Sequence, residues 1–258
     1  MKYDSEFFSG HLAESLRSAR AVVPYVVSLL SPQSVIDLGC GVGTWLRAFE
    51  EQGVTSFLGL DGDYVDLDAL EIPRDRFLPR DLTRPTGVTD RFDLAMSLEV
   101  AEHLPPEWAP HFVDELVGLS DAVLFSAAIP SQGGTNHINE QWQSYWRDLF
   151  VERGYRPVDC LRPRFWSDPN VTPWYRQNAF LYLKKSLLER RPDLQAEAER
   201  LSVIPFDCVH PELFESVLEL RERSRPRPNL RTVVGDLPRA IKDSVEWRLG
   251  KLADRKKR

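Results

Sequence analysis

Three glycines at alternate positions, Gly39, Gly41 and Gly43, separate a short strand-like run, Val35–Leu38, from a helix-like stretch that begins at Thr44. This segment, D-L-G-C-G-V-G-T-W from Asp37 to Trp45, constrains the fold more than any other. Glycine reaches positive φ and carries no Cβ, so such a loop lets backbone approach a ligand closely. The helix that follows offers free N–H groups and the positive end of its dipole. A strand–loop–helix junction of this kind belongs at the carboxyl edge of a parallel α/β sheet, where ligands bind.

The spacing narrows the ligand. A dinucleotide fingerprint reads G-x-G-x-x-G. Here the third glycine falls one residue early, and an acid, Asp37, stands two residues before the first. The next strand ends in F-L-G-L-D-G-D-Y-V, which places Asp61 20 residues after Gly41. A carboxylate there can accept from both hydroxyls of a ribose. The expected ligand therefore contains a nucleoside, and the glycine spacing disfavours a nicotinamide-dependent oxidoreductase.

The chain around this loop alternates strand and helix patterns. Strands are expected at Val35–Leu38, Phe57–Leu60, Arg76–Leu78, Leu94–Met96, Val123–Ala127, Pro157–Leu161 and Ala179–Leu183. Helical spacing appears at Leu12–Leu30, Thr44–Gln52, Pro106–Leu119 and Gln141–Arg153. This alternation predicts an α/β fold whose mostly parallel sheet is covered by helices on both faces. Past Lys185 the alternation stops, and helical patterns follow at Leu187–Leu201, Glu212–Arg223 and Leu237–Leu252. The expected organisation is a helical segment over residues 1–33, a ligand-binding core over 34–185 and a helical, basic extension over 186–258.

The motifs together resemble the class I S-adenosylmethionine-dependent methyltransferases. D-x-G-x-G-x-G followed by a ribose acid is one part of the likeness. L-P-R-D-L-T after the third strand is similar to the segment that holds the adenine, with Asp81 at the amino group and Leu82 on the ring. R-F-D-L-A-M-S-L-E-V-A-E-H-L is similar to the fourth-strand segment of the small-molecule branch, with Glu99, Glu102 and His103 in its E-x-x-E-H-L pattern. The resemblance spans roughly residues 18–184. It implies a seven-stranded Rossmann-like methyltransferase sheet and S-adenosylmethionine as the cofactor, converted to S-adenosylhomocysteine. It implies cofactor contacts at Asp37, Gly39, Cys40, Gly41, Gly43, Trp45, Asp61 and Gly62, and at Asp81, Leu82, Leu98 and Glu99. Three further segments, Ser97–Leu104, Phe125–Trp142 and Trp174–Asn178, resemble a bacterial subgroup of such enzymes and add little about the acceptor.

Methyl transfer from a sulfonium is an in-line displacement that needs alignment and exclusion of water. An alcohol or phenol acceptor must also lose a proton. The segment I-P-S-Q-G-G-T-N-H-I-N-E-Q-W leaves the fifth strand beside the expected methyl group, and Gly133-Gly134 gives it a turned loop. His137 is the first candidate base, since its ordinary pKa is near neutral. Glu140 is placed to orient that imidazole, and His103 is the second candidate; either histidine can also serve simply to structure its loop. Downstream, Trp174 and Tyr175, expected in a loop before the last strand, suit a pocket wall, and Arg176 and Asn178 suit polar groups of a substrate. Trp142, at core-like helical spacing with Tyr145 and Trp146, and His210 of the extension complete the candidate substrate contacts. A divalent cation on Glu99, Glu102 and His103, with His137, is a further arrangement; the spacing matches no strong metal signature, so it is not favoured.

Composition bounds the partners. The chain has 258 residues and a net charge of -6, which argues against general nucleic-acid binding. The charge is uneven: Arg221 to Arg258 holds 13 Lys/Arg against 5 Asp/Glu. That basic end reads as a solvated tail or as a contact for an anionic partner. No apolar run approaches the roughly 20 residues that span a bilayer, and the N-terminus lacks a secretory apolar region. Three widely spaced cysteines suit neither a disulfide framework nor a zinc site. The expectation is a cytoplasmic enzyme acting on a small-molecule acceptor, through an oxygen first and a nitrogen second, with homo-oligomerisation left open. A catalytically silent cofactor-binding module is the alternative of another class.

Overall fold

The computed structural model describes residues 5–202 and 205–224, and beyond them Arg239, Ile241, Asp243, Ser244 and Trp247. Of the expected helical pattern at Leu237–Leu252 only these five residues are described, all of them helical, and most of the basic end lies outside the described residues. By internal contacts the chain divides into two compact units, Met1–Val217 and Leu218–Arg258. The first holds the whole sheet.

The chain opens with α1 (Ser5–Leu30), then β1 (Ser34–Leu38), α2 (Thr44–Glu51), β2 (Ser56–Asp61) and β3 (Phe77–Pro79). β4 (Leu94–Leu98), α3 (Ala109–Leu119), β5 (Ala122–Ser126), α4 (Gln143–Glu152) and β6 (Tyr155–Val158) follow. Then come α5 (Leu161–Phe165), α6 (Pro173–Asn178), β7 (Phe180–Lys184), α7 (Lys185–Glu189), α8 (Pro192–Leu201) and α9 (Pro211–Ser224).

The seven strands form one sheet in the order β3-β2-β1-β4-β5-β7-β6. β1, β2, β3, β4 and β5 pair in parallel, and β7 runs antiparallel between β5 and β6. The central strands are apolar on both faces, as strands covered on both sides must be: every residue of β4 and of β5 is buried. One face packs against α1, α2 and α5–α8 through Val22, Val26, Phe49, Leu124, Phe165 and Leu194. The other packs against α3 and α4 through Ile36, Phe112, Leu116, Phe125, Trp146 and Phe150.

Three expectations need correction. The strand expected at Pro157–Leu161 runs over Tyr155–Val158, because Gly154 (φ 82) turns the chain straight into it. Pro157 is tolerated because β6 is an edge strand, and Leu161 begins α5 instead. Residues Pro173–Asn178, expected as a loop, form α6, with Pro173 at the first helical position where its missing N–H matters least. The single pattern at Leu187–Leu201 is two helices, broken before Pro192.

Within the first unit, the segment after α8 is held against the chain around α5 and α6 by buried polar contacts. Arg162, ion-paired with Asp159 at 2.5 Å, donates to the carbonyls of Phe206 and Pro205 at 2.7 and 3.1 Å. The His210 N–H donates to Gln177 Oε1 at 2.7 Å. Among the described residues, no helix is long and apolar enough to cross a membrane.

Candidate functional site

The strand order reverses at β1 and β4, and ligands of open α/β sheets bind outside the carboxyl ends of strands at such a point. A cavity of about 870 Å³ opens there. Its lining includes Gly39, Gly41, Asp61, Gly62, Tyr64, Asp81, Leu82, Leu98, Glu99, His103 and Asn136. Eight of the expected cofactor contacts and one of the candidate bases thus share one cavity.

The three glycines divide the work. All have positive φ: 90° at Gly39, 55° at Gly41 and 89° at Gly43. A Cβ at Gly39 would meet Val100 Cγ2 at 2.3 Å, so the loop lies directly on the residue after Glu99. A Cβ at Gly41 would meet nothing within 4 Å and would project into open space. Gly43 caps α2 and does not line the cavity; a Cβ there would strike Ile72 Cγ1 at 2.7 Å. Only the first two glycines are therefore positioned to face a ligand. Cys40 points the other way, since its Sγ would lie 2.7 Å from a Cβ on Gly59, and burial pushes its thiol well up.

Asp61 is 6% exposed and its carboxylate is already organised. Oδ2 accepts from the Gly41 N–H and Oδ1 from the Gly62 N–H, both at 2.7 Å. Tyr64 donates its hydroxyl to Oδ1 at 2.5 Å. Asp37, buried at the end of β1, has its carboxyl pushed well above the usual range by burial and by the Asp61 charge. Asp81 accepts from the Thr83 hydroxyl and N–H at 2.6 and 2.9 Å, which hold its carboxyl below the ordinary value.

On the β4–β5 side a second cluster forms. Glu102, His103 and His137 bring one ligand atom each to within 4.8 Å of one another. The His103 and His137 rings stand 4.8 Å apart and nearly perpendicular. Two main-chain bonds fix this approach: the Ile138 and Asn139 N–H groups both donate to the Glu102 carbonyl at 2.9 Å. Asn139 Nδ2 adds a bond to the Ala101 carbonyl at 3.3 Å. Burial, reinforced by the neighbouring His137, lowers the His103 pKa. Glu102 is fully buried, and neither carboxylate oxygen accepts a hydrogen bond of regular geometry. Burial, then repulsion from Glu99, drives its pKa well up, and the nearby main-chain N–H groups of Glu102 and Ala128 offset only part of this.

Glu140 shapes the loop that carries His137. Its two oxygens accept from the Ser131 and Gly133 N–H groups at 2.7 and 2.8 Å, and Oε1 lies 3.1 Å from His137 Nδ1. A carboxylate only accepts, so Nδ1 is the donor in this pair, and in the neutral ring Nε2 then keeps its lone pair. Glu99 stands apart from this cluster. Gln132 and Asn178 donate to its carboxylate at 2.9 and 3.2 Å and partly counter the upward push of burial. Of the four groups considered for a cation, Glu102, His103 and His137 converge, and Glu99 is engaged by Gln132 and Asn178 instead.

The expected cofactor contact Trp45 and most of the expected substrate contacts lie elsewhere. Trp45 and Tyr175 pack edge to face at 5.0 Å in the core, away from the cavity. Trp174 packs against the same core cluster. Arg176 is 5% exposed and paired with Glu212 at 2.7 Å. Buried His210 donates from Nε2 to the Trp166 carbonyl at 2.8 Å, while Nδ1 accepts from the Glu212 N–H. Trp142 is exposed just before α4. Asn178 reaches the cavity only through Glu99. Three residues escaped sequence reading: Tyr64, Gln132 and Asn136. Tyr64 lies three residues beyond Asp61 in D-G-D-Y-V, but nothing in the spacing tells that its ring turns back.

A methyltransferase-domain family model matches residues 10–119. The structure is similar to that of Streptomyces venezuelae DesVI, with 12% identity and a TM-score of 0.51, over 71% of this chain and 100% of that one. The methyltransferase domain of bacterial CtHen1 aligns at 19% identity and a TM-score of 0.49, over 65% of this chain and 97% of that one. Magnesium protoporphyrin IX methyltransferase from Synechocystis PCC 6803, solved with bound SAM, aligns at 17% identity and a TM-score of 0.48, over 67% and 80%. No match is found among curated proteins. At these identities the likeness is one of fold: the chain has the seven-stranded α/β methyltransferase fold, with a helical C-terminal part.

Proposed function

We propose that the protein transfers a methyl group from S-adenosylmethionine to an oxygen of a small polar acceptor. The observation that carries this reading is Asp61, held by the Gly41 and Gly62 N–H groups on the wall of a cavity that also reaches His103. The cavity fits such a cofactor. Gly41 leaves open space where a side chain would stand, Asp61 presents a fixed carboxylate for ribose hydroxyls, and Leu82 offers an apolar surface for a base. When bound, the sulfonium supplies an activated methyl group. The chain's own residues bind, align and manage the proton.

The proton falls to the cluster beside the cavity. Glu140 holds the His137 Nδ1–H, which leaves Nε2 free to accept the proton of an acceptor hydroxyl. His103, its pKa lowered, is neutral near pH 7 and adds a second imidazole at the cavity wall. The carboxamides Gln132 and Asn178 hold the Glu99 carboxylate at the cavity wall, where it can accept from a hydroxylated acceptor. Methylation in biosynthesis of saccharides or natural products in the cytoplasm, with an anionic partner at the basic end, belongs to the same reading.

The test is a transfer screen with methyl-labelled S-adenosylmethionine and panels of sugars, nucleotide sugars, glycosides and amines. The reading expects label on an acceptor oxygen. Label on nitrogen alone would overturn the oxygen assignment. His137→Ala is expected to cut turnover at least tenfold while sparing S-adenosylhomocysteine binding. Transfer to no acceptor would favour a silent binding module.

A further inference from the structure

Behind Glu99 the hydrogen bonds run in one direction. A main-chain N–H only donates, and the His210 N–H gives its bond to Gln177 Oε1 at 2.7 Å. This fixes which way the Gln177 carboxamide faces, so its nitrogen is the donor on the other side. Gln177 Nε2 donates to Asn178 Oδ1 at 2.9 Å and to Gln132 Oε1 at 3.2 Å. A second main-chain group, the Ile129 N–H, also donates to Gln132 Oε1, at 3.3 Å. Both carbonyl oxygens are thereby engaged, and both amide nitrogens turn to Glu99. Gln132 Nε2 reaches Glu99 Oε2 at 2.9 Å, and Asn178 Nδ2 reaches Oε1 at 3.2 Å and Gln132 Oε1 at 2.9 Å.

Gln177 and Asn178 are buried, and none of the three carboxamides lines the cavity. Glu99 does line it and is half-buried, with its open side on the cavity. Its backbone is left-handed at φ 56°, a strained conformation for a residue other than glycine, and strain of this kind collects at functional sites. A flipped amide would offer Glu99 a carbonyl oxygen, which only a protonated carboxyl can satisfy.

We propose that Gln177 is a positioning residue: through Gln132 and Asn178 it commits Glu99 to the carboxylate form, and the open side of that carboxylate takes a hydroxyl or ammonium hydrogen of the methyl acceptor. The direction of this relay is set from outside the cavity, by the His210 N–H of the segment after α8. That segment is itself fixed, by Arg176 on Glu212 and by Arg162 on the carbonyls of Pro205 and Phe206. A carboxylate or phosphate group of an acceptor meets like charge at this wall and is rejected there. The assignment to the acceptor rests on the methyltransferase reading; the relay itself does not.

The test follows the Glu99 carboxyl by carbon NMR across a pH titration. It uses full-length protein isotopically labelled at its glutamate side-chain carboxyls, and the Glu99 signal is identified by its loss in Glu99→Gln. The proposal expects an ionised Glu99 in the parent at pH 7. Gln177→Met keeps the size of the side chain and removes its donor and its acceptor. It is expected to raise the proton affinity of Glu99 at least about tenfold, the size of one hydrogen bond to a charged carboxylate. Gln177→Asn keeps a carboxamide but withdraws it by one carbon, and is expected to shift the titration in the same direction if Gln177→Met does not fold. Gln132→Met, which removes a donor to Glu99 itself, sets the scale of the shift. The titratable neighbours Glu102, His137 and Tyr175 are present in every variant, so the difference from the parent reports the relay. Thermal melting checks folding, and S-adenosylhomocysteine affinity is expected to be unchanged. A Glu99 protonated at pH 7 in the parent overturns the proposal, as does a titration unmoved in a folded Gln177 variant. Loss of S-adenosylhomocysteine affinity in step with the Glu99 shift gives Glu99 to the cofactor and overturns its assignment to the acceptor. If the parent binds no S-adenosylhomocysteine, the methyltransferase reading falls, and the Glu99 titration still decides the relay.

Discussion

The Tyr64 hydroxyl donates to Asp61 Oδ1 at 2.5 Å, at the carboxylate that the fold presents to a ribose. Tyr64 is 81% exposed, although burial and the Asp61 bond both raise the pKa of its hydroxyl. A nucleoside hydroxyl that binds Asp61 Oδ1 competes with Tyr64 for this oxygen. Tyr64→Phe removes the competitor, so S-adenosylhomocysteine is expected to bind about two- to fivefold tighter, the size of one net hydrogen bond of roughly 0.5–1 kcal/mol. Calorimetry decides this, and weaker binding would assign Tyr64 to holding the ligand.

Gly41 and Gly43 are expected to fail in different ways. Gly41→Ala puts a methyl group into open space at φ 55°, where strain is about 1–2 kcal/mol and the fold survives. Its product should lose S-adenosylhomocysteine affinity while melting near the parent temperature. Gly43→Ala drives a methyl group into Ile72 at φ 89° and is expected to lower the melting temperature markedly. Equal effects of the two changes on melting and on affinity would contradict this division.

Asp37 gives a prediction in pH. Its folded-state pKa is raised, by burial first and by Asp61 second, so the native state binds more protons than the unfolded chain above the ordinary carboxylate range. Stability then falls as pH rises from that range toward the raised value, by about 1.4 kcal/mol for each pH unit of the interval. Asp37→Asn removes this fall. Urea unfolding from pH 3 to pH 8 is expected to show a gain for the variant that grows with pH and vanishes at the acid end, below the unfolded-state pKa. A pH-independent difference would mean that Asp37 does not carry the shift.

The glycine loop and Asp61 were legible because a parallel sheet puts a strand end, a turn and a helix start in fixed order, and that order constrains local residue types. Asp81, Leu82 and Leu98 came with the resemblance to the methyltransferases, and they line the same cavity. Residues such as Trp45, Tyr175 and Arg176 were not placeable, because a large side chain reads alike whether it faces a pocket or the core. α6 determines that Tyr175 turns inward onto Trp45, and the segment after α8 determines that Arg176 is spent on Glu212. The meeting of His137 with Glu102 and His103 depends on main-chain bonds between loops more than thirty residues apart, which no local pattern records.

The central claim is that Asp61 and the Gly41 loop hold a sulfonium nucleoside. The direct measurement is a calorimetric titration of the protein and of Asp61→Ala with S-adenosylhomocysteine. The account predicts saturable binding at one site per chain, weakened in Asp61→Ala by about 2–4 kcal/mol through loss of the hydrogen bonds to a charged acceptor. No binding up to millimolar ligand, or equal affinity in the two proteins, would contradict it.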